Sequence, residues 1–307
     1  MTAVNHSSKI WNKLHLHKNV DAAFSSCVPL QEVDFCKRQK LIMPMQTHTS
    51  NVVWITDKIA LESPDSKPSP ILPDTDALIT DTPNIAIGVR TADCVPILLY
   101  ADDIKAVAAI HAGWKGTING IVDNAIDMLI DKGSVPTHIF ACFGPSICRQ
   151  CYEIDFALAQ QFIDAGFADC ITYDDFIDPL TENKFAETKP HLDLVKVNFK
   201  RMINKGLASH NINTSSPCTR HSFSSISEDN DLLRKTINQC TIETANSRGN
   251  SNPNRPSTSE NKIPVFHSWR REPGTPDRLI TAISLHPSTE GLLQILPLGD
   301  FKSQLAD

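Results

Sequence analysis

The sequence GVRTADCVPILLY, residues 88–100, decides how this chain folds, because a polar corner separates two apolar runs within and beside it. The apolar runs at residues 85–87 and 95–99 are both typical of short buried strands. The corner itself, Thr91-Ala92-Asp93-Cys94, places a carboxylate next to a thiol. A third apolar run leads into His111-Ala112-Gly113-Trp114-Lys115-Gly116. Strand ends beside glycine-rich turns are where α/β proteins hold reactive groups, so we place the chemistry here.

Composition excludes several classes of protein. The 307 residues are 41% hydrophobic and 21% charged, which is ordinary for a globular chain with a sizeable core. A net charge of −6 without a sustained basic block argues against nucleic acid or an anionic membrane as the main partner. No apolar run is long enough to span a bilayer, so no membrane association is expected.

The start of the chain and its cysteines predict a cytoplasmic location. Residues 1–6 lack the basic and apolar stretches of a secretion signal. The nine cysteines are an odd number and lack the spacing of a small disulfide scaffold. Free cysteines in a reducing compartment are therefore candidate ligands or nucleophiles.

Hydrophobic periodicity predicts strands that alternate with helices. Residues 1–40 are poorly defined, and residues 221–262, rich in Ser, Asn and Thr, are predicted to be a disordered or loop insertion. A helix is expected from an N-cap at Thr117 to Gly133, and its start beside Lys115 would suit an anion such as phosphate. Further helices are expected from Asp155 and from near Pro190, and strands near residues 22–24, 41–45, 52–55, 75–80, 138–143 and 279–285.

The sharpest group of candidate site residues is His48, Cys94 and His111. Each lies at a predicted turn or strand end beside small residues. Two imidazoles and one thiolate match a catalytic zinc site, which has three protein ligands and one open position. The alternative is one buried cysteine and two unrelated surface histidines.

Two other interpretations of this group stay open. Cys94 could instead be a nucleophile with His48 or His111 as its base, because a thiolate held by positive charge serves either purpose. Asp93 could orient that pair, act as a general base, or support a ligand histidine. A turn-capping role for Asp93 is equally compatible with the sequence.

Three further features are candidates for binding. Cys148-x-x-Cys151 has the spacing of a redox or zinc pair, but no second such pair occurs, which favours a packed pair. Arg270 and Arg271 could hold a phosphate or carboxylate, or lie on the surface. Phe143 is predicted to be core or pocket wall.

Five motifs occur in an order that resembles the YfiH-like family, long labelled multicopper polyphenol oxidoreductase or laccase-domain proteins. Cys218-Thr219 and residues 264–285 extend the resemblance beyond residue 154. The motifs are Gln46-Thr47-His48, residues 91–96, residues 111–116, Gly144-Pro145-Ser146-Ile147 with Cys151-Tyr152-Glu153, and residues 266–271.

The resemblance implies an α/β (α+β) fold, a single domain of mixed β-sheets flanked by helices, with the catalytic domain at residues 41–307. It implies a zinc ion held by His48, Cys94 and His111. It also implies phosphorolysis of adenosine, inosine or methylthioadenosine, and deamination of adenosine, with Asp93, Cys94 and His111 catalytic. The residues expected to contact nucleoside or phosphate are Gln46, Lys115, Phe143, Arg270 and Arg271.

Two alternative functions remain at this point. The older family label implies a copper-dependent phenol oxidase, although a multicopper centre needs more clustered histidines than these motifs supply. The second alternative is a catalytically weakened nucleoside-binding protein. It is suggested by two departures from the family: residues before 41 lack the usual pocket-forming stretch, and residues 221–262 are inserted.

Overall fold

The computed structural model describes residues 10–26, 40–56, 72–173, 177, 189–225, 262–264, 266, 268, 270 and 278–286. Most of the predicted insertion at 221–262, and Arg271, lie outside these residues. None of the helices described is both long and apolar enough to cross a bilayer.

The described residues form strands and short helices that follow one another along the chain. The helices are α1 (Trp114–Ile118), α2 (Ile121–Asp131), α3 (Phe156–Phe162) and α4 (Leu194–Asn204). The strands are β1 (Ile10–Leu14), β2 (Val20–Ser26), β3 (Lys40–Ile42), β4 (Val52–Trp54), β5 (Ala77–Thr80), β6 (Ile85–Thr91), β7 (Val95–Ala101), β8 (Ala106–Ala112), β9 (Ile139–Phe143), β10 (Ile171–Thr172), β11 (His191–Leu192), β12 (Ile212–Asn213), β13 (Phe223–Ser225), β14 (Lys262–Pro264) and β15 (Leu279–Leu285).

Two mixed sheets organise the fold. One has six strands in the order β12-β9-β7-β8-β5-β4, and the other has five in the order β1-β2-β15-β6-β3. Most neighbours are antiparallel, whereas β12 pairs with β9, β4 with β5 and β3 with β6 in parallel. This mixed-sheet α/β architecture confirms the predicted fold class.

The six-stranded sheet lies between the helices and the five-stranded sheet. Successive side chains of a strand point to opposite faces. In β7, Ile97 and Leu99 pack into the core cluster that also holds buried residues of α2 and α4. Leu98 and Tyr100 pack instead against residues of β6 and β15 such as Ile87. The apolar run that followed the polar corner therefore fills both cores, which explains why it has no polar alternation.

Residues 10–26 form part of this same architecture. β2 pairs with β15, and β15 pairs with β6. The segment before residue 41, which was poorly defined from sequence, thus contributes β1 and β2 to the five-stranded sheet. The boundary predicted at residue 41 stays a prediction.

The predicted start of a helix at an N-cap at Thr117 is wrong. Residues 114–118 form α1, and Gly120, with φ of +80°, separates it from α2. Thr117 is a fully buried residue of α1 rather than an N-cap. Gly133, with φ of +102°, follows the end of α2 as expected.

The two later helices begin at aspartate caps. The Asp155 side chain accepts a hydrogen bond from the N–H of Leu158 at 2.7 Å, which confirms the expected start of α3. The helix expected near Pro190 begins later, at Leu194, because Asp193 caps it by accepting from the N–H of Lys196 at 2.9 Å.

Leu98→Ala is expected to lower the free energy of unfolding by about 2–5 kcal/mol, because Leu98 is fully buried between the two sheets and its loss leaves a cavity. Urea denaturation measures this. Val135→Ala is the control, since Val135 is 50% exposed and its truncation should change stability by less than about 0.5 kcal/mol. Equal effects of the two substitutions would contradict the packing described.

Candidate metal centre

Strand register brings Cys94 and His111 together. β7 and β8 are antiparallel, with Val95 opposite Ala112 and Pro96 opposite His111. Cys94 immediately precedes β7, so its position along the sheet is that of the end of β8. His111 follows Val107 and Ala109 in the period-two alternation of β8, on the face toward the five-stranded sheet.

His48 reaches the same end of the sheet from the turn before β4. β4 pairs with β5, and β5 pairs with β8, with Ala77 opposite Ile110. The residue before β5, Asp76, is therefore level with His111, whose N–H donates to the carbonyl oxygen of Asp76 at 2.8 Å. His48 itself has φ of +65°, an uncommon left-handed conformation for a residue with a side chain.

The three predicted ligands converge. The ligand atoms of His48, Cys94 and His111 all lie within 4.8 Å of one another. Sγ of Cys94 is 4.0 Å from Nε2 of His48, and the ring centroids of the two histidines are 4.9 Å apart. His111 is buried and His48 is exposed, so the group is open to solvent on one side. Three donors with one open side are the donor set of a catalytic rather than a structural metal site.

Gly113 leaves room for this convergence. A Cβ at that position would lie 2.9 Å from Cδ2 of His48 and 3.2 Å from Sγ of Cys94. The backbone at Gly113, with φ of −71° and ψ of 169°, is one that any residue adopts. Glycine is thus required for the space beside the ligands, not for its backbone freedom.

Asp76 holds the site together, and sequence reasoning missed it. Its fully buried carboxylate accepts hydrogen bonds from the backbone N–H groups of Thr47, His48 and Thr49, at 3.2, 3.1 and 2.7 Å, and from the Thr49 hydroxyl at 2.8 Å. Nδ1 of His111 donates to the same carboxylate at 2.7 Å. This bond leaves Nε2 of His111 as the ring nitrogen available to a metal.

Electrostatics favour a charged site. Burial raises the pKa of the Cys94 thiol, but the charge and hydrogen bond of His111, and then His48, outweigh burial and bring that pKa to about 6. Burial lowers the pKa of His111, but Cys94 and Asp76 outweigh it and raise the pKa to about 9. Burial likewise opposes the hydrogen bonds from His111 and Thr49 that bring the pKa of Asp76 to about 2. Cys94 is thus a thiolate near neutral pH, as a metal ligand must be.

Asp93 connects the polar corner to two distant segments. Its backbone is strained, with φ of +87°, and its side chain is buried. Oδ1 accepts from the Thr219 hydroxyl at 2.6 Å, and Oδ2 accepts from the backbone N–H of Arg270 at 2.7 Å. Both carboxylate oxygens are therefore engaged, which fits a positioning role.

The other predicted site residues occupy different environments. Gln46 pairs with the backbone of Arg90, donating to its carbonyl oxygen at 2.7 Å and accepting from its N–H at 2.8 Å. Lys115 is exposed, with its ammonium 5.5 Å from the Trp114 ring centroid. Phe143 is 1% exposed and packs in the main core.

Arg270 lies next to the polar corner, where its backbone N–H binds Asp93. Its guanidinium lies 5.3 Å from the Tyr152 ring centroid, and Nη2 donates to the carbonyl oxygen of Glu153 at 2.8 Å. Burial, followed by the negative charge of Cys94, raises the pKa of Tyr152. Arg270 and Tyr152 therefore belong to the surroundings of Cys94 and Asp93.

Fold and site together define a mixed-sheet α/β protein with a His₂Cys group that could hold a metal ion at one end of its central sheet. The family model described as multi-copper polyphenol oxidoreductase laccase matches residues 17–231, and the chain belongs to this family.

Curated relatives carry enzyme names. A protein of an unknown prokaryotic organism named Adenosine deaminase RL5 is 34% identical over 180 residues, and a Purine nucleoside phosphorylase of Bacteroides thetaiotaomicron is 32% identical over 182 residues. Each match covers 59% of this chain, but only 65% and 64% of the respective relative. The chain thus matches less than two thirds of the length of either protein.

Solved structures share the fold. The Bacillus licheniformis hypothetical protein YfiH superposes with a TM-score of 0.63 at 21% identity, covering 91% of this chain and 97% of that one. YlmD from Geobacillus stearothermophilus superposes with a TM-score of 0.61 at 17% identity, covering 92% and 98%.

Asp76→Asn is expected to weaken binding of added Zn²⁺ by about 10–100-fold, because an amide cannot accept all the bonds that fix the turn at His48 and the ring of His111. Competition with a chromophoric chelator measures this affinity. Asp74→Asn is the matched control: its exposed carboxylate contacts the Thr47 hydroxyl in the same turn and does not contact either histidine in the contacts described. An unchanged affinity in Asp76→Asn would refute the orienting role.

Proposed function

We propose that this chain is a zinc-dependent purine nucleoside phosphorylase that also deaminates adenosine. The observation that carries the proposal is the convergence of His48, Cys94 and His111, with Asp76 behind them and one side open. The names of the curated relatives, Adenosine deaminase RL5 and Purine nucleoside phosphorylase, support the reaction classes.

The donor set fits a single zinc ion. One thiolate and two imidazoles with ligand atoms within 4.8 Å suit tetrahedral coordination with a fourth position left for a small molecule. A zinc ion bound there supplies a Lewis acid at the open end of the sheet. The low pKa of Cys94 keeps the thiolate available, and Asp76 keeps Nε2 of His111 directed to the same point.

The residues of the site suit one copper ion but not a multicopper centre. Two histidines and one cysteine also suit a single copper ion. A multicopper centre requires additional clustered histidines, and the groups of potential ligands among the described residues contain only His48, His111 and His221. A mononuclear metal is therefore the form that the site supports best.

Lysine and arginine side chains are suited to bind an anionic co-substrate such as phosphate. Lys115 is exposed at α1, four residues after His111, and the Arg270 guanidinium lies near Tyr152. We assign phosphate to Lys115 and to Arg271, which follows Arg270 in sequence. Phe143, which is buried in the core, is a less suitable substrate contact than Tyr152, which is half-buried and whose pKa the charge of Cys94 helps to raise.

The proposed reactions balance without a redox partner. In phosphorolysis, a phosphate oxygen forms a bond to C1′ of the ribose as the bond from C1′ to the purine nitrogen breaks, and the purine leaves with a proton. In deamination, water adds at C6 of adenosine and ammonia leaves. Asp93 positions the polar corner through Thr219 and Arg270 in both.

Product analysis tests the proposal directly. The purified protein is incubated with adenosine, inosine or methylthioadenosine, with and without phosphate, and products are separated by chromatography with mass detection. Free base with pentose 1-phosphate is expected only with phosphate, and inosine from adenosine without it. Cys94→Ala is expected to lower both activities on the order of 10³-fold, because metal-ion catalysis contributes several kcal/mol.

Cys170→Ala is the matched control, since Cys170 is a buried free thiol that belongs to neither group of potential ligands. It should retain activity. Phenol oxidation with copper bound in place of zinc would overturn the proposal in favour of an oxidase. Tight nucleoside binding without turnover would instead favour a binding protein.

Lys115→Ala is expected to raise the KM for phosphate about tenfold while leaving phosphate-independent deamination unchanged, because only phosphorolysis loses a charged hydrogen-bond donor. Initial rates at varied phosphate measure this. Lys132→Ala is the control, because Lys132 is another exposed lysine beside an indole, 5.2 Å from the Trp54 ring centroid. An unchanged phosphate KM in Lys115→Ala would remove Lys115 from the phosphate site.

A further inference from the structure

The described residues contain a second group of metal-ligating side chains, separate from the first. Two segments far apart in sequence contribute to it, each with two ligands three residues apart. We call it the Cys₃His cluster, and its members are Cys148, Cys151, Cys218 and His221. The sequence pattern is thus C-x₂-C followed by C-x₂-H, which is the ligand spacing of a structural zinc site.

The zinc interpretation of Cys148 and Cys151, which the sequence made less favoured than a packed pair, gains support from this cluster. The packed-pair interpretation rested on the absence of a second pair of cysteines. The second pair is a cysteine and a histidine, Cys218 and His221. Cys218 lies 70 residues after Cys148 in the sequence. The motif Cys218-Thr219 was noted in the sequence, but His221 was not.

The distances within the Cys₃His cluster match one bound ion. All four ligand atoms lie within 4.8 Å of one another. Nδ1 of His221 is 3.2 Å from Sγ of Cys151 and 3.9 Å from Sγ of Cys148. Ligand atoms about 2.0–2.3 Å from a tetrahedral zinc ion are separated by roughly 3.5–3.8 Å from one another.

The backbone holds both halves of the Cys₃His cluster in place. Ser146 and Cys218 form a parallel bridge, in which the N–H of Thr219 donates to the carbonyl oxygen of Ser146 at 3.0 Å. The N–H of Cys151 donates to the carbonyl oxygen of Cys148 at 3.0 Å, which closes a single helical turn. The ligands are therefore ordered by contacts other than those with a metal.

Hydrogen-bond donors face two of the sulfur atoms of the cluster. The N–H of Cys148 donates to Sγ of Cys218 at 3.4 Å. The guanidinium of Arg220 donates to Sγ of Cys151 at 3.8 Å. Donors of this kind stabilise metal-bound sulfur and are typical supports of a zinc site. Cys151 and Cys218 are buried, whereas Cys148 and His221 are half-buried.

We propose that the Cys₃His cluster binds one structural Zn²⁺. Four protein ligands leave no open position, in contrast to the three at His48, Cys94 and His111, so the ion links segments rather than acting on substrate. The linked segments are those that carry Tyr152 and Thr219. Thr219 binds Asp93 directly, so the ion fixes the polar corner that precedes β7. This inference does not depend on the proposed function.

The experiment combines metal analysis with single-site loss. Full-length protein purified from zinc-supplemented cells is expected to contain two Zn²⁺ per chain by mass spectrometry of its metals. Cys94→Ala should contain one, and the double substitution Cys148→Ser with His221→Ala should contain one. Cys170→Ala, which removes a buried free thiol outside both groups, should contain two.

X-ray absorption of the Cys94→Ala protein tests the cluster without changing it, so it remains decisive if the double variant fails to fold. Three sulfur ligands at about 2.3 Å and one nitrogen at about 2.0 Å are expected around the remaining zinc. No zinc in Cys94→Ala, a different ligand set, or a disulfide among the cluster cysteines in the native protein would overturn the proposal. A wild-type protein with only the three-sulfur, one-nitrogen zinc would support it while contradicting the zinc-dependent function.

Discussion

The carboxylate of Asp76 is the group on which the geometry of the candidate site depends. It is fully buried, and burying an ionised carboxylate without partners would be prohibitive. Instead, three successive backbone N–H groups of residues 47–49, a hydroxyl and the His111 ring all donate to it. One side chain thus ties the turn of His48 to the end of β8, and this explains how His48 is kept in its left-handed backbone conformation.

The positions of Cys94 and His111 at strand ends were predictable because they depend only on the neighbouring sequence. Cys94 and His111 each adjoin an uninterrupted apolar run, and such runs are recognisable without knowledge of the fold. Asp76 was not recognised because it lay inside the strand predicted over residues 75–80, and one acidic side chain near the end of a strand is not by itself a sign of a binding site. Its importance comes from the pairing of β5 with β8, which places it level with His111.

Non-local geometry accounts for the other differences. The apolar spacing after residue 118 correctly predicted α2, but α1 begins earlier, since Trp114 and its neighbours are ordered by packing against β8 rather than by a capping side chain. Phe143 also depends on context, because β9 lies inside the sheet, next to β7, and the aromatic ring enters the main core. Likewise, only the bridge between Ser146 and Cys218 brings a cysteine-histidine pair to the cysteine pair.

The two groups of ligands are linked through hydrogen bonds to Asp93. Asp93 is next to Cys94 in sequence, Thr219 is next to Cys218, and the Thr219 hydroxyl donates to Asp93 at 2.6 Å. A residue with φ of +87° retains its conformation only where its surroundings fix it, and Thr219 and Arg270 hold both oxygens of Asp93. A four-ligand metal site that fixes Thr219 would therefore also fix Asp93 and orient the Cys94 thiolate of the three-ligand group. The rigid site would in this way support the geometry of the open one.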